Sequence, residues 1–111
     1  IFNRLSVGMP LQMDSTVLYA LKERRIALSN RDISLSSSYN TYNKKGLPPT
    51  PIGNPGKAAL AATLAPEPGD WLYFVTVAPS ETKFTASYKE FLKFKKEFKK
   101  NLNAGLFGES R

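Results

Sequence analysis

The chain has 111 residues, of which 41% are apolar and 12% aromatic, enough for one modest hydrophobic core and unlike a disordered composition. It contains no Cys and no His, which excludes disulfides, Cys/His zinc sites and nucleophilic catalysis by Ser-His or Cys-His pairs. Sixteen basic residues against nine acidic ones give a net charge of +7. We predict no cofactor and no metal site, so catalysis would depend on carboxylates, amides, hydroxyls, Tyr or Lys.

The first clear helix is predicted over residues 15–24. Gly8 and Pro10 mark a turn before it. Asp14 or Ser15 would cap its first turn, because a side-chain oxygen at that position accepts a backbone N–H that has no partner within the helix.

A polar region over residues 29–45 follows this helix. Ser29 and Asp32 have the spacing of a capping box, which predicts a single helical turn. Three serines then lead into Tyr39 and Tyr42, whose aromatic area favours an ordered segment over a flexible linker.

The segment 46–56 is rich in glycine and proline. Seven of its eleven residues are Gly or Pro, which predicts a rigid extended loop or a linker. Asn54 and Pro55 would begin the next helix as its N-cap and first residue, and that helix would end near Leu64.

The last third of the chain predicts a hairpin followed by a long helix. Residues 71–77 are rich in aromatic and β-branched side chains, and residues 82–85 can return antiparallel to them. From about residue 86 to 103 the apolar positions repeat at helical spacing, with lysines on the opposite side. The predicted fold class is therefore α+β: a small antiparallel sheet with a hairpin near 71–85, packed by three helices, with a long C-terminal amphipathic helix.

Positive charge is concentrated at the C-terminal end of the chain. From Lys83 onward there are eight basic and three acidic residues, or +5 of the total +7. The simplest interpretation is a solvated helix face, and the alternative is a surface for an anionic partner such as nucleic acid, anionic lipid or another anionic polymer.

Four groups of short motifs occur along the chain. They are Asn3-Arg4-Leu5 with Gly8-Met9-Pro10-Leu11-Gln12 and Asp14-Ser15-Thr16-Val17-Leu18-Tyr19-Ala20; Ser38-Tyr39-Asn40-Thr41-Tyr42; Gly46-Leu47-Pro48-Pro49-Thr50-Pro51-Ile52 with Asn54-Pro55-Gly56; and Leu72-Tyr73-Phe74-Val75 before Phe84-Thr85. In order and approximate spacing they resemble the endolytic murein transglycosylases, the YceG-like family. The resemblance covers residues 3 to about 92.

The resemblance implies a lyase that cleaves the glycan strands of nascent peptidoglycan internally and leaves 1,6-anhydro-muramic ends. It implies a location outside the cytoplasm, in the bacterial cell envelope, with the parent protein attached to the plasma membrane through an N-terminal segment. Peptidoglycan glycan strands are the expected partner, other cell-wall synthesis proteins are further candidates, and nucleic acid is not expected. Residues 1–103 would be the C-terminal portion of the transglycosylase domain, and 104–111 a flexible tail.

The family's catalytic Glu lies upstream of its Asn-Arg-Leu motif, so we expect the acid upstream of Ile1. No glutamate of the chain lies in a family motif, and none is nominated as catalytic. This chain alone is therefore predicted to be inactive. The alternative function is a noncatalytic binding or scaffold domain that recognises glycan or another anionic polymer such as nucleic acid.

Six residues are predicted to contact the glycan, because sugar recognition combines planar polar groups with aromatic faces. They are Gln12, Asp14, Tyr39, Asn40, Tyr42 and Asn54. Each also has a structural alternative: capping for Asp14 and Asn54, core packing for the two tyrosines, a turn for Asn40 and an exposed surface position for Gln12.

Overall fold

A computed structural model of the chain describes residues 1–25 and 27–108. Residues 2–69 form one compact unit, and residues from Asp70 onward form a second. The described residues contain four α-helices, a 3-10 helix and a two-stranded antiparallel sheet, which confirms the α+β class. Of the predicted tail, residues 104–108 form turns, and 109–111 lie outside the described residues.

Helix α1, Phe2–Ser6, ends in a glycine turn. Gly8 adopts φ +72°, and the N–H of Met9 donates to the carbonyl of Arg4 at 2.9 Å. Glycine tolerates this left-handed conformation because it has no Cβ. The turn reverses the chain, so that Arg4 can reach the loop that follows.

Helix α2, Asp14–Leu21, is shorter than the predicted 15–24. Met13 occupies the N-cap position without a side-chain cap, so the predicted capping by Asp14 or Ser15 is wrong. Asp14 is instead the first helical residue, where a carboxylate is favoured by the positive end of the helix dipole. The helix ends at Lys22, which adopts a left-handed conformation with φ 58°.

The predicted capping box at Ser29 and Asp32 is confirmed. The N–H and hydroxyl of Ser29 donate to Asp32 Oδ2, both at 2.9 Å, and the N–H of Asp32 donates to Ser29 Oγ at 3.2 Å. The 3-10 helix Asp32–Ser34 begins there. Arg25 Nη1 donates to the same carboxylate at 2.9 Å; that bond, with those from Ser29, lowers the pKa of Asp32 to about 2.

Segment 46–56 is irregular, as its prolines predict, and helix α3, Lys57–Leu64, follows it. Its N-cap is Gly56, without a side-chain cap, so the predicted start at Asn54 and Pro55 is wrong. Every residue of α3 is exposed, including Leu64 at 88%.

The hairpin of the second unit consists of β1, Tyr73–Ala78, and β2, Glu81–Thr85. Both strands lie within one or two residues of their predicted positions. Val77 on one face is fully buried. On the other face Phe74 and Phe84 stack with ring centroids 5.9 Å apart and remain exposed.

Helix α4, Tyr88–Asn103, packs on the buried face of the hairpin. The ring of Phe91 stacks on Tyr73 at 5.1 Å, and Asn101 Nδ2 donates to the carbonyl of Val77 at 2.7 Å. Of the three helices predicted to pack on the sheet, only α4 belongs to the hairpin's own unit. Within the described residues, every helix is too short or too polar to cross a bilayer.

We expect Val77→Ala to lower the free energy of unfolding by about 2 kcal/mol, because the lost methyl groups leave a cavity between the hairpin and α4. Thr76→Ala, one position away on the exposed face, is the control and should cost less than about 1 kcal/mol. Chemical denaturation of both variants measures the difference. Equal losses would show that the core is not centred on Val77.

Candidate functional site

Two buried threonines join the start of α2 to the segment around residue 41. The hydroxyls of Thr16 and Thr41 lie 2.8 Å apart, and the exposed fractions of these residues are 3% and 2%. Thr16 Oγ1 donates to the carbonyl of Met13 at 2.7 Å, so its single proton is used there. Thr41 therefore donates to Thr16 and accepts the N–H of Met13 at 2.9 Å. This network fixes the two motif segments side by side.

The buried Arg4 guanidinium organises the loop before α2. Arg4 Nη1 donates to the carbonyls of Pro10 at 2.8 Å and Leu11 at 3.1 Å. The same nitrogen lies 3.4 Å from the side-chain oxygen of Gln12. A charged donor makes stronger hydrogen bonds than a neutral one, so Arg4 restricts this loop effectively.

Gln12 has a strained backbone. Its φ is +52°, in the left-handed region that non-glycine residues avoid at a cost of about 1–2 kcal/mol. The N–H of Gln12 donates to the carbonyl of Thr41 at 3.2 Å, which, together with the Arg4 contacts, maintains the conformation. The residue is exposed, so its amide is accessible to a ligand.

Asn40 is fully buried and bonded to the backbone. Its Nδ2 donates to the carbonyls of Ile33 at 3.1 Å and Leu35 at 2.7 Å. Its Oδ1 accepts the N–H of Tyr42 at 2.9 Å. With no exposed surface, Asn40 shapes the turn that presents Tyr42.

Asp14 and Tyr42 form a side-chain pair at the protein surface. The phenol of Tyr42 donates to Asp14 Oδ1 in a short hydrogen bond. Tyr42 is partly buried, whereas Asp14 is exposed. Burial, and then the bond to the Asp14 carboxylate, raise the pKa of Tyr42 far above its ordinary value, although the charge of Arg4 opposes this shift. The phenol therefore stays protonated and remains a donor.

Tyr39 belongs to a neighbouring aromatic contact. Its ring lies 5.0 Å from that of Tyr19 on α2, and its hydroxyl lies 2.7 Å from Thr50 Oγ1 of the proline-rich segment. Tyr19 in turn lines an open groove with Leu18 and Ile52. The aromatic surface predicted at residue 39 is thus continuous with a tyrosine that the sequence analysis had not selected.

The structure therefore brings together three of the six predicted residues, Gln12, Asp14 and Tyr42, around the Thr16–Thr41 pair. Asn54 is exposed, and within the described ranges its side chain makes no hydrogen bond. Sequence reasoning missed Arg4, Thr16 and Thr41, although all three lie within the quoted motifs. Their motif positions were the only available signal, because nothing local shows that Thr16 and Thr41 meet across 25 residues.

Among the described residues, no group of three or more acidic side chains is arranged to hold a metal ion. Asp32 is ion-paired with Arg25 at 2.9 Å, and Glu97 with Lys83 at 3.1 Å. Glu67 and Glu90 are exposed. A buried, uncompensated carboxyl group of the kind that keeps a proton near neutral pH is therefore not found within this described part of the chain.

Comparison with known proteins identifies the family. The model of the YceG-like family matches residues 1–97. The chain belongs to this family. It is 41% identical over 97 residues to a Bacillus subtilis protein named endolytic murein transglycosylase, covering 87% of this chain and 27% of that protein. A Streptococcus pneumoniae protein of the same name is 32% identical over 94 residues, covering 80% of this chain and 17% of its own length.

A solved structure supports the same family membership. The crystal structure of a YceG-like protein from Listeria monocytogenes matches with a TM-score of 0.76 at 42% identity, covering 83% of this chain and 29% of that one. The chain thus spans less than a third of each of these relatives. The family predicted from the motifs is confirmed.

We expect Asn40→Ala to lower the free energy of unfolding by about 2–3 kcal/mol, because it removes a fully buried side chain and leaves the partly buried N–H of Tyr42 and carbonyl of Ile33 without that partner. Asn43→Ala is a matched control: Asn43 is exposed and donates to the same Leu35 carbonyl at 2.9 Å. Its loss should cost less than about 1 kcal/mol. Thermal or chemical denaturation of both variants tests the difference, and a mild effect at Asn40 would contradict its positioning role.

The Tyr42 phenol should titrate above the ordinary tyrosine value of about 10. A folded-state pKa raised above the unfolded value contributes stability that is present below about pH 10 and is lost as the pH rises further. The difference in phenolate absorbance between the wild type and Tyr42→Phe isolates this group. Asp14→Asn should move the Tyr42 transition to lower pH, because the charge that opposes ionisation is gone. A Tyr42 transition at its ordinary pH in the wild type would exclude the Asp14–Tyr42 bond in solution.

Proposed function

We propose that this chain is part of a murein transglycosylase and contributes a glycan-binding surface to it. The observation that carries the proposal is the 41% identity over 97 residues to a relative named endolytic murein transglycosylase, together with a family match over residues 1–97, which include all the motifs. The assembled polar surface at Gln12, Asp14 and Tyr42 is what a sugar-binding site requires. The substrate would be the glycan strands of peptidoglycan.

Three exposed or partly exposed groups would contact the sugar. Asp14 accepts a hydrogen bond from a sugar hydroxyl through its second carboxylate oxygen, the one that is not bonded to Tyr42. Gln12 offers its side-chain amide, which both donates and accepts. Tyr39, with Tyr19 beside it, offers an aromatic face to the apolar side of a pyranose ring.

Asn40 enters the proposal as a positioning residue. It is fully buried, so a direct contact between Asn40 and glycan is not part of the proposed site. Asn54 remains proposed as a contact at the edge of the surface, since it is exposed and lies within a family motif.

The strain at Gln12 supports a functional role for this residue. A left-handed non-glycine residue costs stability, and such residues occur preferentially at binding and catalytic sites. Arg4 and Thr41 maintain the unfavourable conformation through the contacts described above. A glycine at this position would adopt the left-handed conformation without strain but would provide no side-chain amide.

We further propose that the catalytic acid is supplied by a part of the enzyme outside residues 1–111. The ion-paired or exposed state of the described carboxylates supports this. In the proposed reaction, one carboxylic acid protonates the glycosidic oxygen as the C–O bond breaks. The resulting carboxylate then accepts the proton of the sugar's 6-hydroxyl, whose oxygen closes the 1,6-anhydro ring. The acid is regenerated, and no water is consumed.

Two further features of the proposal rest on the family resemblance. The enzyme would act in the cell envelope, outside the cytoplasm, with attachment to the plasma membrane through a segment that these residues do not include. Other cell-wall synthesis proteins would be candidate partners.

Gln12→Gly tests the proposed surface, because stability and binding should respond differently. Glycine adopts the left-handed conformation without strain, which stabilises the folded state, but it also raises the entropy of the unfolded chain. These two effects oppose each other, so the free energy of unfolding should change by less than about 1 kcal/mol. Affinity for uncrosslinked glycan strands should fall by roughly fivefold, because the amide hydrogen bond is lost. Isothermal titration calorimetry measures the affinity, and thermal denaturation measures the stability.

Ser80→Gly is the matched control for this experiment. Ser80 also has a left-handed backbone, with φ 64°, but belongs to the hairpin turn of the second unit and to none of the motifs of the site. Its replacement should leave glycan affinity unchanged. Gln12 would be excluded from the site if Gln12→Gly bound glycan as tightly as the wild type, or if both variants lost the same amount of glycan affinity. Affinity that collapses as salt rises would favour the alternative of an anionic-polymer binding domain.

A further inference from the structure

The surface of α4 that faces away from the hairpin carries a continuous stripe of positive charge, which we call the lysine stripe. It consists of Lys89, Lys93, Lys96 and Lys100, all exposed. Their spacings of four, three and four residues place them within an arc of about 60° on the helix. At 1.5 Å per residue the stripe is about 16 Å long.

The stripe has no compensating acidic partner among the described residues. No hydrogen bond or ion pair joins any of its four ammonium groups to the described part of the chain. The two glutamates of α4 lie to one side of it, and Glu97 is already paired with Lys83 of β2 at 3.1 Å. The positive potential along this side of α4 is therefore not neutralised internally.

The apolar side of α4 is not available for binding. Phe91 packs on Tyr73, and the ammonium of Lys83 lies 5.3 Å from the centre of the Phe94 ring. An interfacial amphipathic helix binds membranes by burying its apolar face in the lipid. Here the hairpin packs on most of that face, although Tyr88 and Leu92 remain exposed, so the main contact that the helix offers is electrostatic.

We propose that the lysine stripe docks this unit on an anionic membrane surface. Charge complementarity favours an anionic partner, and the shape favours a flat one. The stripe is a straight ridge on a convex helix, which can lie along a plane of phosphate headgroups with all four ammonium groups in contact. This inference does not depend on the proposed glycan function.

The chemistry of the lysine stripe favours a membrane over nucleic acid. The phenylalanines of α4 lie on the opposite side of the helix, so the stripe offers no ring for base stacking. Lysines near an anionic leaflet each strengthen binding by roughly fivefold, and their contribution falls with salt.

The test is co-sedimentation of the full chain with vesicles containing phosphatidylglycerol, compared with phosphatidylcholine vesicles. The wild type should bind only the anionic vesicles. Changing all four stripe lysines to Gln should weaken binding by several hundredfold, since four contributions of roughly fivefold multiply. Gln has a helix propensity close to that of Lys, so α4 should persist, and circular dichroism checks this.

A matched control changes four exposed lysines outside α4 to Gln: Lys22, Lys44, Lys45 and Lys57. Both quadruple variants have the same net charge, +7 − 4 = +3. The control should lose less than about threefold in vesicle affinity, since it leaves the four ammonium groups of the stripe in place. A third variant with Arg at the four stripe positions should retain wild-type binding, because it keeps the charge.

Three results would overturn the proposal. One is absence of binding to anionic vesicles by a folded wild-type chain. Another is equal weakening in the stripe and control variants, which would mean that net charge alone is responsible. The third is tighter wild-type binding to duplex DNA than to vesicles at equal phosphate concentration and salt, which would assign the stripe to nucleic acid.

Discussion

The arrangement of residues 2–69 depends on one buried hydrogen-bonded pair, the hydroxyls of Thr16 and Thr41. Each hydroxyl has a single proton, so the direction of every bond in the network is determined by the Thr16 donation to Met13. Removal of the Thr41 hydroxyl would take the acceptor from the Met13 N–H, and removal of the Thr16 hydroxyl would leave the Met13 carbonyl with the Thr16 N–H as its closest donor. Gln12, Asp14 and Tyr42 all lie within four residues of one of the two threonines, so this pair positions the candidate site.

The elements that were predictable from sequence are those with a strong local signal. The hairpin and α4 follow from side-chain periodicity, and the Ser29–Asp32 box follows from two residues that bond to each other. Helix starts were less predictable because several polar residues compete for one cap. At α2 the Asp14 carboxylate bonds to Tyr42, a residue distant in sequence, instead of a nearby N–H. Helix α3 begins at Lys57, two residues after Pro55, with Gly56 in the N-cap position.

The candidate site shows the same limit. Residue type and motif position pointed to Gln12, Asp14 and Tyr42, and these do converge. The same reasoning could not distinguish Asn40, because an amide that binds a ligand and an amide that binds three backbone groups look identical in a sequence. The role of Arg4 could not be predicted from the sequence for a related reason. It depends on the reversal of the chain at Gly8, which brings the Pro10 carbonyl within hydrogen-bond distance of the Arg4 side chain.

The use of arginine at position 4 has a consequence for how the loop responds to pH. A guanidinium does not deprotonate at any pH that a folded protein encounters. Its bonds to the carbonyls of Pro10 and Leu11 involve no other ionisable group. A fall in pH therefore leaves these two bonds to the loop that carries Gln12 in place.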